Sequence, residues 1–166
     1  MITPAYCRTM AAYNAEMNRR FYAAAARLDD AARRRPRGAF FGSLHGTLCH
    51  LVWGDTMWMS RFDGGPPPPV KLPDSSRMIA DFATLQATRE ALDARIEAWA
   101  GGLDPSRLEG DLAWFSGAAG REVRRPMALL VVHFFNHQTH HRGQAHALLT
   151  AEGASTGDTD LFLVLP

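Results

Sequence analysis

The chain has 166 residues, 46% of them hydrophobic, and its 18 basic and 17 acidic side chains leave a formal charge of +1. That size suits one domain, residues 1–166, with a substantial core, and near-neutrality gives no general electrostatic drive toward nucleic acid. Two cysteines are too few for a disulfide framework, MITPAYCRTM has no apolar signal core, and no apolar run approaches the roughly 20 residues that span a bilayer. A reduced, cytoplasmic protein that does not enter a membrane is expected.

Tyr6, Met10, Tyr13, Met17, Phe21, Ala24 and Leu28 recur at close to a 4,3 spacing, which predicts a first helix over residues 4–29. DDAARRRPRGAF follows, with Arg33, Arg34, Arg35 and Arg37 beside a proline and a glycine. It reads as a solvated connection rather than a nucleic-acid arm, because no aromatic residue interleaves the arginines.

The second helix is predicted over 41–62, with Ser43 as a cap and Leu44, Leu48, Leu51, Trp58 and Phe62 as its core stripe. Asp55 falls within that stripe and needs a partner. It is either one half of a structural ion pair, the favoured role, or a group that orients a ligand from outside its coordination sphere. His45 and His50 both project from the shoulders of the apolar face, and the helical wheel does not choose between them as a ligand, although Thr47, Gly54 and Met57 leave room beside His50 and favour it slightly. Cys49 reads as a buried, inert thiol.

Residues 63–76, with four consecutive prolines, form a loop, and a third helix is predicted from Ser75 or Ser76 to Gly101–Gly102. A small hairpin is expected between 107 and 125. The tail ends in an apolar cluster expected to fold back over the helices or to enter a subunit contact.

The last helix, PMALLVVHFFNHQTHHRGQAHALLTAEG over residues 126–153, carries five of the seven histidines. Proline at its first position and Gly153 at its end suit a helix start and stop. Leu130, Phe134, His137, His141, Gln144 and Leu148 share one face in 4,3,4,3,4 spacing, a packing seam with histidines in leucine positions. At four residues apart His137 and His141 rise about 6 Å from each other, a separation one divalent ion can bridge. Two neutral imidazoles buried in an apolar seam would otherwise lack partners, so a shared metal is the favoured reading.

SLHGTLCHLVWGDTMWMSRF and HFFNHQTHHRGQAHALLTAEG resemble the second and last long helices of DinB-like metalloproteins, a group that includes YfiT-like proteins and bacillithiol or mycothiol S-transferases. Length and element order agree over nearly the whole chain. The resemblance implies an all-α fold, a four-helix bundle of the DinB/YfiT-like type, and an ion held by one histidine from helix two and two from the last helix. Carried over, these are His50, His137 and His141, with His45 outside the set and His133 the nearest alternative. Gln144 and Asp55 are candidates for supporting those ligands.

Three imidazoles leave coordination positions open, which argues for chemistry at the ion. An all-imidazole site suits zinc, nickel, copper or iron; the resemblance puts zinc first and nickel next. It further implies a small-molecule substrate, an enzyme of the thiol S-transferase or a hydrolase type, and a homodimer. A non-catalytic protein braced by its metal is the alternative, and nucleic-acid binding ranks last.

Overall fold

The computed structural model of the protein describes residues 1–117 and 119–165. Four long helices dominate: α1 (Pro4–Ala26), α3 (Leu44–Phe62), α4 (Phe82–Gly101) and α5 (Met127–Ala151). Helix α1 packs on α4 and α5, and α3 packs on the same two, so the contacts run in the cyclic order α1, α4, α3, α5. Met17, Leu48, Met59, Leu85, Ile96, Phe134 and Leu149 fill the space between them. The fold is mostly helical, and no described helix is long and apolar enough to cross a membrane.

Helix α1 is capped by Thr3, whose hydroxyl oxygen accepts from the Tyr6 amide at 3.2 Å, with Pro4 following where no N–H is needed. It stops at Ala26, short of the predicted end. Asp29 then caps a further short helix, α2 (Asp30–Arg34), by accepting from the Ala32 amide at 2.7 Å. The expected solvated connection is therefore partly helical, and its arginines are engaged within the fold. Arg33 donates to the carbonyls of Ala25 and Leu28 and lies 4.4 Å from the Phe82 ring centroid. Arg34 pairs with Asp30 at 2.7 Å, while Arg35 and Arg37 both reach Glu152 beyond the end of α5.

Ser43 caps α3 as expected, accepting from the Gly46 amide at 3.1 Å. Residues 44–52 are buried without interruption, so this helix is core on almost every side rather than amphipathic. The third long helix begins later than predicted. Leu72–Arg77 form a 3-10 turn, and α4 starts at Phe82, where Asp81 caps it by accepting from the Thr84 amide at 2.7 Å.

The expected hairpin is present as an antiparallel pair, β1 (Asp111–Ser116) and β2 (Arg121–Pro126), with Trp114 opposite Val123. Pro126 ends β2 and immediately precedes α5. Beyond α5, Gly153 adopts φ +75°, and the Gly153 and Ala154 amides donate to Thr150 and Leu149 carbonyls at 2.9 and 3.0 Å. A side chain is disfavoured in that left-handed conformation, which is why glycine stops the helix here. The tail returns along α1, pinned by the Tyr13 hydroxyl donating to the Thr159 carbonyl at 2.6 Å, and ends in α6 (Leu161–Val164).

Candidate metal centre

The packing of α3 on α5 brings His50, His137 and His141 together, one ring nitrogen from each lying within 4.8 Å of the others. His137 and His141 occupy successive turns of α5 with ring centroids 4.4 Å apart, and His50 faces them from α3 at 5.3 and 4.7 Å. This is the one such group of three histidine, cysteine or acidic side chains among the described residues. The other histidines lie elsewhere. His45 is buried with Nε2 at 2.8 Å from the Ile79 carbonyl, His133 is exposed and packs on Trp58, and His146 packs on Phe21 across α1.

The outer nitrogens of the three rings decide which inner lone pairs are free. Gln144 Oε1 accepts from His141 Nδ1 at 2.8 Å, which places the proton on Nδ1 and the lone pair on Nε2. Gln144 Nε2 in turn meets His140 Nε2 at 3.3 Å. His50 Nδ1 lies 3.0 Å from the Ser75 hydroxyl, which can accept its proton in the same way. His50 Nε2 and His137 Nε2 face each other at 3.3 Å. Two nitrogens bound at about 2.05 Å to one tetrahedral ion stand about 3.3 Å apart, so the spacing matches a shared zinc-sized ion. The residues present thus fit a divalent metal.

Asp55 does not join this group. Its Oδ2 accepts from Arg89 Nη1 at 2.6 Å in the interior, and Arg89 also pairs with Asp93 at 2.8 Å. Of the two supporting candidates, the structure brings Gln144 to a histidine and gives Asp55 to the ion pair. Cys49 is buried, with its thiol 3.2 Å from the Ile79 carbonyl.

Four further residues shape the site. Phe41 stacks on the His50 ring at 3.7 Å between centroids, and Trp53 lies nearly parallel to that ring at 5.8 Å. Trp53 is itself held by the proline-rich loop, its indole N–H donating to the Val70 carbonyl at 2.8 Å. Ser75, read from sequence as a helix start, supports His50 instead. Gly54 is the fourth: a Cβ built there would lie 2.7 Å from His137 Cε1. The absence of a side chain lets the His137 ring sit against α3. Only Gly54 carried a sequence signal, as a small residue one turn beyond His50.

Alanine at Gly54 should therefore act against its helix propensity, which by itself favours alanine by about 1 kcal/mol. We expect the fold to persist and affinity for zinc to fall roughly 10- to 100-fold as His137 is displaced. A zinc titration against a chromophoric chelator measures this, and unchanged affinity would show that His137 has room to spare.

Burial keeps the cluster neutral. It lowers the His50 pKa to about 4, with His141 nearby adding to the effect, and that of His137 to about 3, with further contributions from His141 and His50. His141 is lowered as well, chiefly by burial. An unfolded histidine titrates near 6.5, so between that value and the folded values the unfolded chain binds more protons. Stability is then full above pH 7 and declines as pH falls through 6.5 toward 4. By pH 5 the loss should be about 1–2 kcal/mol for each of His50 and His137, allowing for partial solvent access. Thermal melts of metal-free protein across this range test it, and glutamine at position 137 should flatten the slope.

The DinB family model matches residues 1–165. The chain belongs to the DinB family. No curated protein and no solved structure matches it. The match covers both halves of the histidine cluster in this DinB-family chain, the α3 segment around His50 and the α5 segment around His137 and His141.

Proposed function

We propose that this DinB-family protein is a small metalloenzyme, a single domain over residues 1–166 in a four-helix bundle of the DinB/YfiT-like type, acting on a small-molecule substrate. The observation that carries the reading is the convergence of three neutral imidazoles with no fourth acidic, cysteine or histidine ligand grouped with them among the described residues. Closed structural zinc sites usually take four protein ligands, whereas catalytic ones keep a position open. His50, His137 and His141 would hold the ion, zinc first and nickel next, and Ser75 and Gln144 would orient two of the rings. A divalent ion held there supplies Lewis acidity and lowers the pKa of a bound thiol or water.

Thiol transfer or hydrolysis is the reaction class. The protein's own thiols are unsuited to attack: burial pushes Cys7 up to about 11 and raises Cys49 too. The nucleophile would therefore come from outside the chain, as a low-molecular-weight thiol or a water activated at the ion. Beside His137, His133 leads to Trp58, and the Arg61 guanidinium lies over Trp58 and Trp114 at 4.6 and 5.3 Å. That row from the cluster to the hairpin offers an aromatic wall for an electrophilic co-substrate. A cytoplasmic homodimer completes the proposal, supported by exposed Phe162 and Leu163 in α6.

The decisive assay combines zinc- or nickel-loaded protein, a small thiol and an aromatic halide, and follows halide release. Turnover should vanish on chelation and return with metal. Metal-free protein that turns over equally fast would end the enzymatic reading. A second reading, a non-catalytic protein braced by its ion, is favoured by the near-complete burial of His50 and His141 on different helices, since an ion between them ties α3 to α5. It predicts a metal-dependent rise in melting temperature with no turnover in a broad substrate screen.

A further inference from the structure

We infer that Arg61, at the far end of the aromatic row from the histidine cluster, binds a carboxylate on the electrophilic co-substrate, a site that rests on the metalloenzyme reading and gives that substrate its chemical class. Arg61 is half-buried near the end of α3, with Cζ 4.6 Å from the Trp58 ring centroid and 5.3 Å from that of Trp114. The two indoles meet at 5.8 Å and 67°. A ring face attracts the charge of a guanidinium lying over it and leaves the in-plane N–H groups free. Among the described residues no carboxylate, hydroxyl or carbonyl pairs with Arg61, and none of its nitrogens is both buried and unpartnered, so its donors reach solvent. Burial alone lowers its pKa, with no neighbouring carboxylate to offset the cost.

The acids of this region are engaged or turned away. Asp63 pairs with Arg95 at 2.6 Å, and Asp55 with Arg89. In the hairpin, side-chain alternation places Trp114, Arg121, Val123 and Arg125 on one face and Asp111, Phe115 and Glu122 on the other. Trp114 meets both Trp58 and Arg61, so the face toward α3 carries two further arginines and no carboxylate.

The cation stands in line with the cluster. Arg61 follows His50 by eleven residues, three turns and about 20°, so both occupy one face of α3. Helical side chains lean toward the N-terminus, and the guanidinium is drawn back to Trp58, roughly 12 Å along the axis from His50. Burial and then the Arg61 charge lower the pKa of His133, whose ring lies 5.1 Å from Trp58 and 6.0 Å from His137 between centroids. One aromatic ring with its leaving group and a carboxylate at opposite ends, together with the attacking atom, spans that interval. Its carboxylate meets the guanidinium fork through two parallel N–H···O bonds.

The test is a calorimetric titration of the zinc-loaded, full-length protein with para-nitrobenzoate and with its neutral counterpart para-nitrobenzamide at low salt. The carboxylate should bind roughly 10-fold more tightly, as a charge-assisted pair at a partly exposed site gives, and the difference should shrink at high salt. Arg61→Met should lose the preference and Arg61→Lys should keep part of it, with retained zinc binding showing that each variant is folded. Chelated wild type should keep it, because the carboxylate meets Arg61 and not the ion. In turnover with a small thiol, para-chloro-meta-nitrobenzoate should show a KM roughly 10-fold below that of the matching benzamide. There the C–S bond forms as the C–Cl pair leaves with chloride, and the thiol proton passes to solvent. The Arg61 site is refuted if wild type binds the two nitro compounds equally, if Arg61→Met keeps the preference, or if chelation abolishes it, which would put the carboxylate on the ion. No turnover of either halide beside an intact binding preference would refute the enzymatic reading and leave Arg61 established as a carboxylate site.

Discussion

Alanine in place of His137 is expected to abolish stoichiometric zinc binding while leaving a folded protein. The residue is the middle of the cluster, 3.3 Å by Nε2 from His50 and one turn before His141 on α5. Removing it leaves two imidazoles on different helices, supported by Ser75 and Gln144 but with no third donor to complete the set. In wild type, zinc at about a thousand times its dissociation constant should stabilise the fold by about 4 kcal/mol, a rise of roughly 8–16 °C for a chain of this length. The variant should show no such rise. Its metal-free stability should change little, because the ring is half-buried and its Nδ1 lacks a hydrogen-bond partner, so its loss removes an unfavourable group together with some packing. Zinc content after dialysis and the metal-dependent melting shift report the two effects separately. A full shift in the variant would disprove the assignment of His137 as a ligand.

Methionine in place of Arg89 should destabilise the protein by about 3–5 kcal/mol, the usual loss when one partner of a buried ion pair is removed. Arg89 is 2% exposed and bridges Asp55 on α3 to Asp93 on its own helix, and Asp93 accepts from Asn18 Nδ2 on α1 at 2.9 Å. Arg89 and its two aspartates, with Asn18, therefore tie three helices together. Without it two carboxyls stay buried with no counter-ion, and each must take up a proton or draw in water. Urea unfolding measures the loss. Replacing Asp55 and Asp93 by leucine in the same chain should recover much of it, because the cost lies in the uncompensated carboxyls rather than in a missing attraction. A loss below about 1 kcal/mol in the single variant would mean that the interior is more hydrated than its packing indicates. Zinc affinity serves as a control: Asp55 touches none of the three histidines, so metal binding in the surviving folded fraction should be unaffected.

These two sites show what could be read along the chain. The four long helices, the hairpin, the Ser43 cap and the Gly153 stop are written in local chemistry: periodic apolar residues, cap hydroxyls and a glycine tolerant of positive φ. His137 and His141 belong to the same category, because i,i+4 spacing alone places them on one face. The late start of α4 was not legible in the same way. Ser75 looks like a cap when only neighbours are considered, and becomes a partner of His50 once the 3-10 turn folds against α3.

His50 marks the boundary between local and tertiary information. Both His45 and His50 are buried in a helix whose first nine residues are all interior, so no wheel could distinguish them. Packing distinguishes them: His45 turns to the Ile79 carbonyl, and His50 turns to α5. The same holds for Asp55, whose need for a partner was evident while the partner, 34 residues away, was not. Gly54 and Phe41 acquired their roles only when α5 and the segment before α3 closed around the His50 ring. By itself the sequence determined the helical elements and, by spacing, two of the three candidate metal ligands, because those depend on periodicity within one helix. The family resemblance had already pointed to His50; only the tertiary structure brought it against α5 and decided the groups that orient the rings and the ion pair that engages Asp55, because each depends on which face of one helix meets which face of another.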